Sequence, residues 1–168
     1  LRWYYGKERE ALSADKREKA PYISFLTLNF LIHKSLFKQI SFNEDIPNMR
    51  HEDTLFSYNL MQLQIPIKHI NNPIYHLGLD TFENAIRKEH ESLFALKNLL
   101  EQHLIEWDYI KISRIFRLLQ QLYLVKVVAF FHGKTSAFFL KNLARHQPSL
   151  FIFDIYRLGY LCKLYSRN

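Results

Sequence analysis

Cysteine is nearly absent from this chain of 168 residues, with one residue, Cys162. That excludes an intramolecular disulfide and any zinc site built on cysteine, and it points to a reducing compartment. Glycine is scarce, with four residues, and proline contributes five. So few breakers disfavour a turn-rich all-β fold and favour helices. No Asp-x-Asp, His-x-x-x-His or Cys-x-x-Cys occurs, nor any glycine-rich phosphate loop. No nucleophile elbow is present either. Long hydrophobic runs are also missing. The most apolar one, Ile115 to Phe131, is interrupted by Arg117, Gln120, Gln121 and Lys126. It falls short of the ~20 apolar residues of a membrane span and reads as a buried helix. The chain opens on Leu1 without an initiator methionine. It therefore reads as truncated, and missing N-terminal signals carry little weight.

What is present is apolar, aromatic and basic. Hydrophobic residues make up 48% and aromatics 15%, which excludes a disordered chain. Twenty-three Lys and Arg against 16 Asp and Glu leave a net charge of +7. Such a surface suits an anionic partner such as nucleotide phosphate, anionic lipid or nucleic acid, or simply belongs to a soluble basic protein. The positive charges are scattered and no nucleic-acid module is recognisable, so a nucleic-acid partner is not expected.

Residues 1–20 read as a charged lead-in, helical or mobile, that ends before Pro21. Tyr22 to Ile32 is dense in Ile, Phe, Leu and Thr and predicts a buried strand. Asn29 within it must find a partner or face a pocket. A short helix is expected over Ser35 to Ile40. Another starts near His51 and runs to about Gln64, closed by Pro66. Ile67 to Tyr75 predicts a second strand, with Pro73 near its end or at an edge. A mixed α/β segment over 21–80 thus precedes a helical subdomain over 81–168. Its helices are expected over Thr81 to His103, Ile110 to Phe131 with a stop at Gly133, Lys134 to His146, and Ser149 to Tyr165. The last helix mixes Arg157, Lys163 and Arg167 with Phe151, Phe153, Tyr156, Tyr160 and Tyr165, and Arg145 precedes it. It either lies on an anionic membrane or packs on its own domain, and packing is the favoured reading.

The densest polar constellation is Asn-Met-Arg-His-Glu-Asp-Thr-Leu-Phe at 48–56. Glu52 and Asp53 open a helix there, where the dipole favours their ionised forms. An ionised carboxylate can take a proton from a hydroxyl. Acids in a first helical turn are also common for that same electrostatic reason. His76 follows the second strand inside Asn-Asn-Pro-Ile-Tyr-His-Leu-Gly, and imidazole is a metal ligand or a hydrogen-bonded structural group.

The order of these segments carries a resemblance. Ile-Ser-Phe-Leu-Thr-Leu-Asn-Phe-Leu-Ile-His-Lys-Ser-Leu-Phe (23–37) precedes Ile-Ser-Phe-Asn-Glu (40–44). His-Glu-Asp-Thr-Leu-Phe (51–56) and Ile-Asn-Asn-Pro-Ile-Tyr-His-Leu-Gly-Leu-Asp (70–80) follow. Over about residues 21–100 this resembles the C-terminal half of a bacterial family-2 glycosyltransferase with the A-type nucleotide-sugar fold. The resemblance implies an α/β fold with few strands and many helices. It implies a fragment of an inverting, metal-dependent enzyme of cell-surface polysaccharide synthesis. Asp53 would be the catalytic base, with Glu52, His51 and Arg50 as acceptor contacts. Asn29 and Glu44 would line or brace the donor pocket. His76 would help an Asp-x-Asp motif, absent from this chain, to hold a divalent Mn or Mg ion. The implied partners are a nucleotide-diphospho-sugar donor and a saccharide or lipid-linked acceptor, with peripheral contact at the inner face of the cytoplasmic membrane. Asn48, Met49 and Arg50 stand where the family often has glycines. The nucleotide-binding half is missing, so the fragment alone is expected to be nearly inactive. The competing reading is a non-catalytic basic helical module that docks on a membrane surface or a partner protein.

Overall fold

A computed structural model describes residues 1–43, 50–75, 78 and 80–166. Every regular element among them is helical. A short α1, Arg2–Tyr5, widens into a π-helical turn over Gly6–Glu10. Next come α2 (Ala14–Arg17), α3 (Lys34–Gln39) and α4 (Glu52–Gln62). The longer helices follow as α5 (Phe82–Glu101), α6 (Lys111–Gln121), α7 (Val125–Leu143) and α8 (Leu150–Tyr165).

No β-strand occurs among the described residues. The segments 22–32 and 67–75, expected as strands, are turns and irregular chain. The A-type nucleotide-sugar fold requires a central β-sheet. The α/β class, the family-2 resemblance and the transferase reading built on it are therefore overturned. β-branched and aromatic residues favour a strand only where a neighbouring strand supplies the ladder. Here some of those side chains enter a cluster instead, while Ile23, Leu28, Leu31, Ile70, Ile74 and Tyr75 are exposed. Phe25, Phe30, Phe37 and Phe42 surround the buried Phe56 of α4, together with Ile40 and Leu60.

The helix starts follow the sequence. Thr81 caps α5 by accepting from the Asn84 N–H at 3.3 Å. Ser149 caps α8 by accepting from the Ile152 N–H at 3.3 Å. Each hydroxyl satisfies one of the orphan donors of a first turn. The helix ends do not use glycine. Gln64, His103 and Tyr123 take left-handed backbone, with φ of 55°, 56° and 58°. Each lets the next residue's N–H reach back five positions: Ile65 to Leu60, Leu104 to Leu99 and Leu124 to Leu119, at 2.8–2.9 Å. These are Schellman closures on side-chain-bearing residues. Gly133, by contrast, lies inside α7, so the expected stop there does not form. The single helix expected over Ile110 to Phe131 is broken at Tyr123 instead.

α8 packs against α5, α6 and α7, most extensively against α7. Leu93, Leu96, Leu99 and Leu100 of α5, Phe116 of α6, Ala129 of α7, and Leu161 and Cys162 of α8 form the main core with Leu55 and Tyr58 of α4. A second cluster joins Ile86, Leu143, Phe153 and Tyr156, with Leu1 and Tyr5 packed on it. Arg9 clamps the N-terminal turn to α8 by donating to both carboxylate oxygens of Asp154, at 2.7 and 2.8 Å. Burial supplies most of the driving force, at roughly 25 cal/mol per Å² of apolar surface.

Candidate functional site

The residues that chemistry singled out gather at the head of α4. His51 is the N-cap residue of α4 and holds left-handed backbone, φ 64°. Its Nδ1 lies 3.0 Å from Thr54 Oγ1 and its Nε2 lies 2.9 Å from Ser92 Oγ of α5. Both ring nitrogens are thus engaged, Nδ1 within the first turn of α4 and Nε2 in joining α4 to α5. Burial, and then the nearby Arg157 guanidinium, pushes the imidazole down to about 4. Asp53 accepts from the Thr54 N–H at 2.8 Å. Burial raises its carboxyl above the usual carboxylate range, against that hydrogen bond. Glu52 is raised by burial and then by Asp53, and its Oε2 is buried with no hydrogen-bond partner among the described residues. Arg50 pairs with Glu91 at 3.2 Å.

Arg50 also lines an open cleft of about 310 Å³ between α1, α5 and α8. Arg2, Lys88, Glu10, Asp80 and Glu89 share its wall, with Tyr5 and Phe153 as the apolar part. Its cations are already neutralised: Arg2 by Glu10 at 2.7 Å and Lys88 by Asp80 at 2.7 Å. The cleft therefore presents no strong net field to a ligand.

Of the other sequence candidates, Asn29 donates to the Asn72 carbonyl at 3.1 Å and ties two surface segments together. Glu44 and His76 lie outside the described residues. Among the described residues no group of three or more His, Cys, Asp or Glu side chains could hold a metal ion. The metal-dependent transferase chemistry expected of this region finds no support in that arrangement.

A different surface carries the unbalanced charge. From Tyr109 to Phe153 the sequence has no Asp or Glu, yet it contains Lys111, Arg114, Arg117, Lys126, Lys134, Lys141 and Arg145. This run contains α6 and α7. On α7 the buried positions are Ala129, His132 and Leu143, which face the core. Lys126, Phe130, Lys134 and Phe138 recur every four residues on the opposite, exposed side. Phe130 is 62% and Phe138 68% exposed, and the Lys134 ammonium lies 5.8 Å from the Phe130 ring centre. Ile115 and Leu118 of α6 and Val127 and Phe131 of α7 are exposed as well. The segment expected to be a buried helix is thus buried along one face only.

The basic-aromatic tail, for which the sequence favours packing over a membrane surface, is packed. Phe153 and Tyr156 are core residues, and Arg157 of α8 is paired with Glu89 of α5. Tyr165 packs on Phe116 with ring centres 4.5 Å apart. Arg167 lies outside the described residues. α8 is a packed helix, and the basic-aromatic face belongs to α7. Two sequence signals could have located it: the acid-free run of 45 positions between Asp108 and Asp154, and the Lys-Phe-Lys-Phe repeat at helical spacing.

Among the described residues no single helix is long and apolar enough to cross a membrane. α6 and α7 reach that length and hydropathy only together, and they bend by 117° at the break between them. No family model matches the chain, and neither a curated protein nor a solved structure does so.

Proposed function

We propose that this chain is a non-catalytic helical module that docks peripherally on an anionic membrane surface through α6 and the outer face of α7. The stripe Lys126, Phe130, Lys134 and Phe138 carries the reading. Exposed phenyl rings between ammonium groups have no use in water, where burial of each ring is favoured by a few kcal/mol. An interface with anionic headgroups and an apolar interior accommodates both. Each Lys or Arg near such a surface contributes about 1 kcal/mol, and each inserted ring adds to that. A nucleic acid would be served by the rings and cations but not by Leu118 and Val127, which are exposed beside them.

Co-sedimentation with vesicles of phosphatidylcholine mixed with phosphatidylglycerol tests this. A triple variant Lys126→Gln, Lys134→Gln, Lys141→Gln should lose on the order of a hundredfold in affinity. A second triple, Lys7→Gln, Lys16→Gln, Lys19→Gln, removes the same charge elsewhere and should bind almost as the parent does. Equal losses in the two would reduce the effect to net charge and end the reading. Raising salt should weaken binding of the parent without abolishing it, because screening acts on the charges and not on the rings.

A further inference from the structure

The turn between α6 and α7 is the most exposed apolar point of the acid-free run. Tyr123 is 91% and Leu122 55% exposed, and Leu124 and Val127 stand beside them. A convex point of this kind does not fit the surface of a folded protein unless a matching groove exists. It does fit a fluid that closes around it.

Entry into the apolar layer makes one demand that most turns fail. Every backbone polar group taken below the headgroups must be satisfied within the protein. The donors of its three tip residues are satisfied, while Val125, Lys126 and Val127 open the first turn of α7, which has no side-chain cap. The Leu122 N–H donates to Leu118 at 3.1 Å, the Tyr123 N–H to Gln120 at 3.1 Å and the Leu124 N–H to Leu119 at 2.8 Å. The Val128 N–H then takes the Leu124 carbonyl at 2.9 Å as α7 begins. The left-handed backbone of Tyr123 is what closes this set, since the reach from Leu124 to Leu119 requires it. Tyr123 also carries its hydroxyl at the end of an apolar ring, which suits the boundary between acyl chains and headgroups.

The charges are placed to match. Arg114 and Arg117 lie up α6 from the turn, and Lys126 and Lys134 lie up α7. Their long side chains can keep cationic heads at phosphate level while the stems follow the apolar surface. The uncharged Gln120 and Gln121 are the remaining polar side chains near the turn. The nearest carboxylates in the sequence, Glu106 and Asp108, precede α6, and Asp108 pairs with Arg117 at 3.4 Å on the exposed surface and accepts from Arg114 through its carbonyl at 2.8 Å, contacts that lipid phosphates would have to replace.

We infer that the α6–α7 turn is a membrane-insertion wedge, in which Leu122, Tyr123 and Leu124 enter the acyl region of an anionic bilayer while the flanking arginines and lysines hold lipid phosphates. The inference rests on the docking reading above and adds depth, a leading edge and a bilayer rather than a protein as the occupant. Docking by charge alone would leave the turn in water, so the two statements separate by experiment.

Tyr123→Cys is labelled with an environment-sensitive nitrobenzoxadiazole dye under native conditions, in which Cys162 is fully buried. Lys16→Cys carries the same dye as a control on the opposite part of the sequence. With vesicles of phosphatidylcholine and phosphatidylglycerol, the dye at 123 should shift to the blue and brighten several-fold. Lipids bearing a nitroxide on the acyl chain should quench it, and the dye at 16 should respond to neither. In a second arm the double variant Leu122→Asp, Tyr123→Asp should lose on the order of tenfold or more in vesicle affinity with unchanged circular dichroism. Co-sedimentation with water-like emission at 123 would overturn insertion and leave docking intact. Absence of co-sedimentation would overturn both.

Discussion

Gly159 and His132 show how much one side chain decides in this molecule. A Cβ at position 159 would sit 2.6–2.8 Å from Nδ1, Cβ and Cγ of His132. The glycine is therefore required by helix approach and not by its backbone. Gly159→Ala should lower stability in a urea titration, because overpacking costs about 1–3 kcal/mol. That exceeds the ~1 kcal/mol of helix propensity gained by removing glycine. His132 itself is buried between α7 and α8, among the rings of Tyr156 and Tyr160, with His90 of α5 and Lys163 of α8 close enough to act on its charge. Burial first, then Lys163 and His90, pushes its imidazole from 6.5 down to about 4. His51 is likewise pushed down to about 4. In the window between about 4 and 6.5 the unfolded chain binds more protons at these sites than the folded chain does. Their contribution to stability is thus complete above 6.5 and is lost as pH falls through the window. The urea midpoint should fall over that range, and His132→Leu should flatten the dependence, leaving the part that belongs to His51 and to His90, whose imidazole burial also lowers.

At the scale of the element, α8 carries a buried ion pair beside its apolar contacts. Arg157 and Glu89 pair with about four-fifths of each side chain out of water. Breaking such a pair strands a buried charge, whereas replacing both partners by apolar residues is often neutral. Arg157→Met alone should cost about 3–5 kcal/mol by chemical denaturation. The double variant Glu89→Leu, Arg157→Met should recover most of that loss. The same pair explains why the basic residues of α8 leave two readings open when only the sequence is read. A cation in a row with aromatics carries the same letters whether it faces a membrane or a glutamate from another helix. The helix ends mislead for a related reason. Glycine is the usual marker of a left-handed stop, and this chain places Gln64, His103 and Tyr123 there instead. The break at Tyr123 leaves no signature in composition, although it sets the 117° corner on which the insertion reading depends.

Across the whole molecule, charge and apolar surface are segregated in a way that total charge conceals. Carboxylates of the N-terminal turn, α5, α8 and the segment before α5 neutralise cations around the cleft and on α8, as in Arg9 with Asp154 and Lys88 with Asp80. The 45 positions spanning α6 and α7 contribute seven cations and no acid. The excess positive charge is thus concentrated in this part of the sequence, although Arg117 pairs with Asp108, and the same run contains exposed Phe130, Phe131 and Phe138. Among the described residues neither helix is long and apolar enough to span a membrane alone, and the two meet at a 117° corner.

Local rules in the sequence determined the starts of α5 and α8, the amphipathic face of α5 and the placement of Glu52 and Asp53 in a first helical turn. Capping hydroxyls, helix dipoles and four-residue periodicity act within a few residues of themselves, so a linear reading captures them. Whether the Ile- and Phe-rich stretches at 22–32 and 67–75 become strands depended on partners far along the chain. A ladder needs a second strand, and among the described residues there is none: the Phe56 cluster takes Phe25, Phe30 and Ile67, while Ile70, Ile74 and Tyr75 stay exposed. The roles of His51, Arg157 and Tyr123 were likewise settled only by what the fold brings next to them: Ser92, Glu89, and, on the outer side of the corner, nothing but solvent.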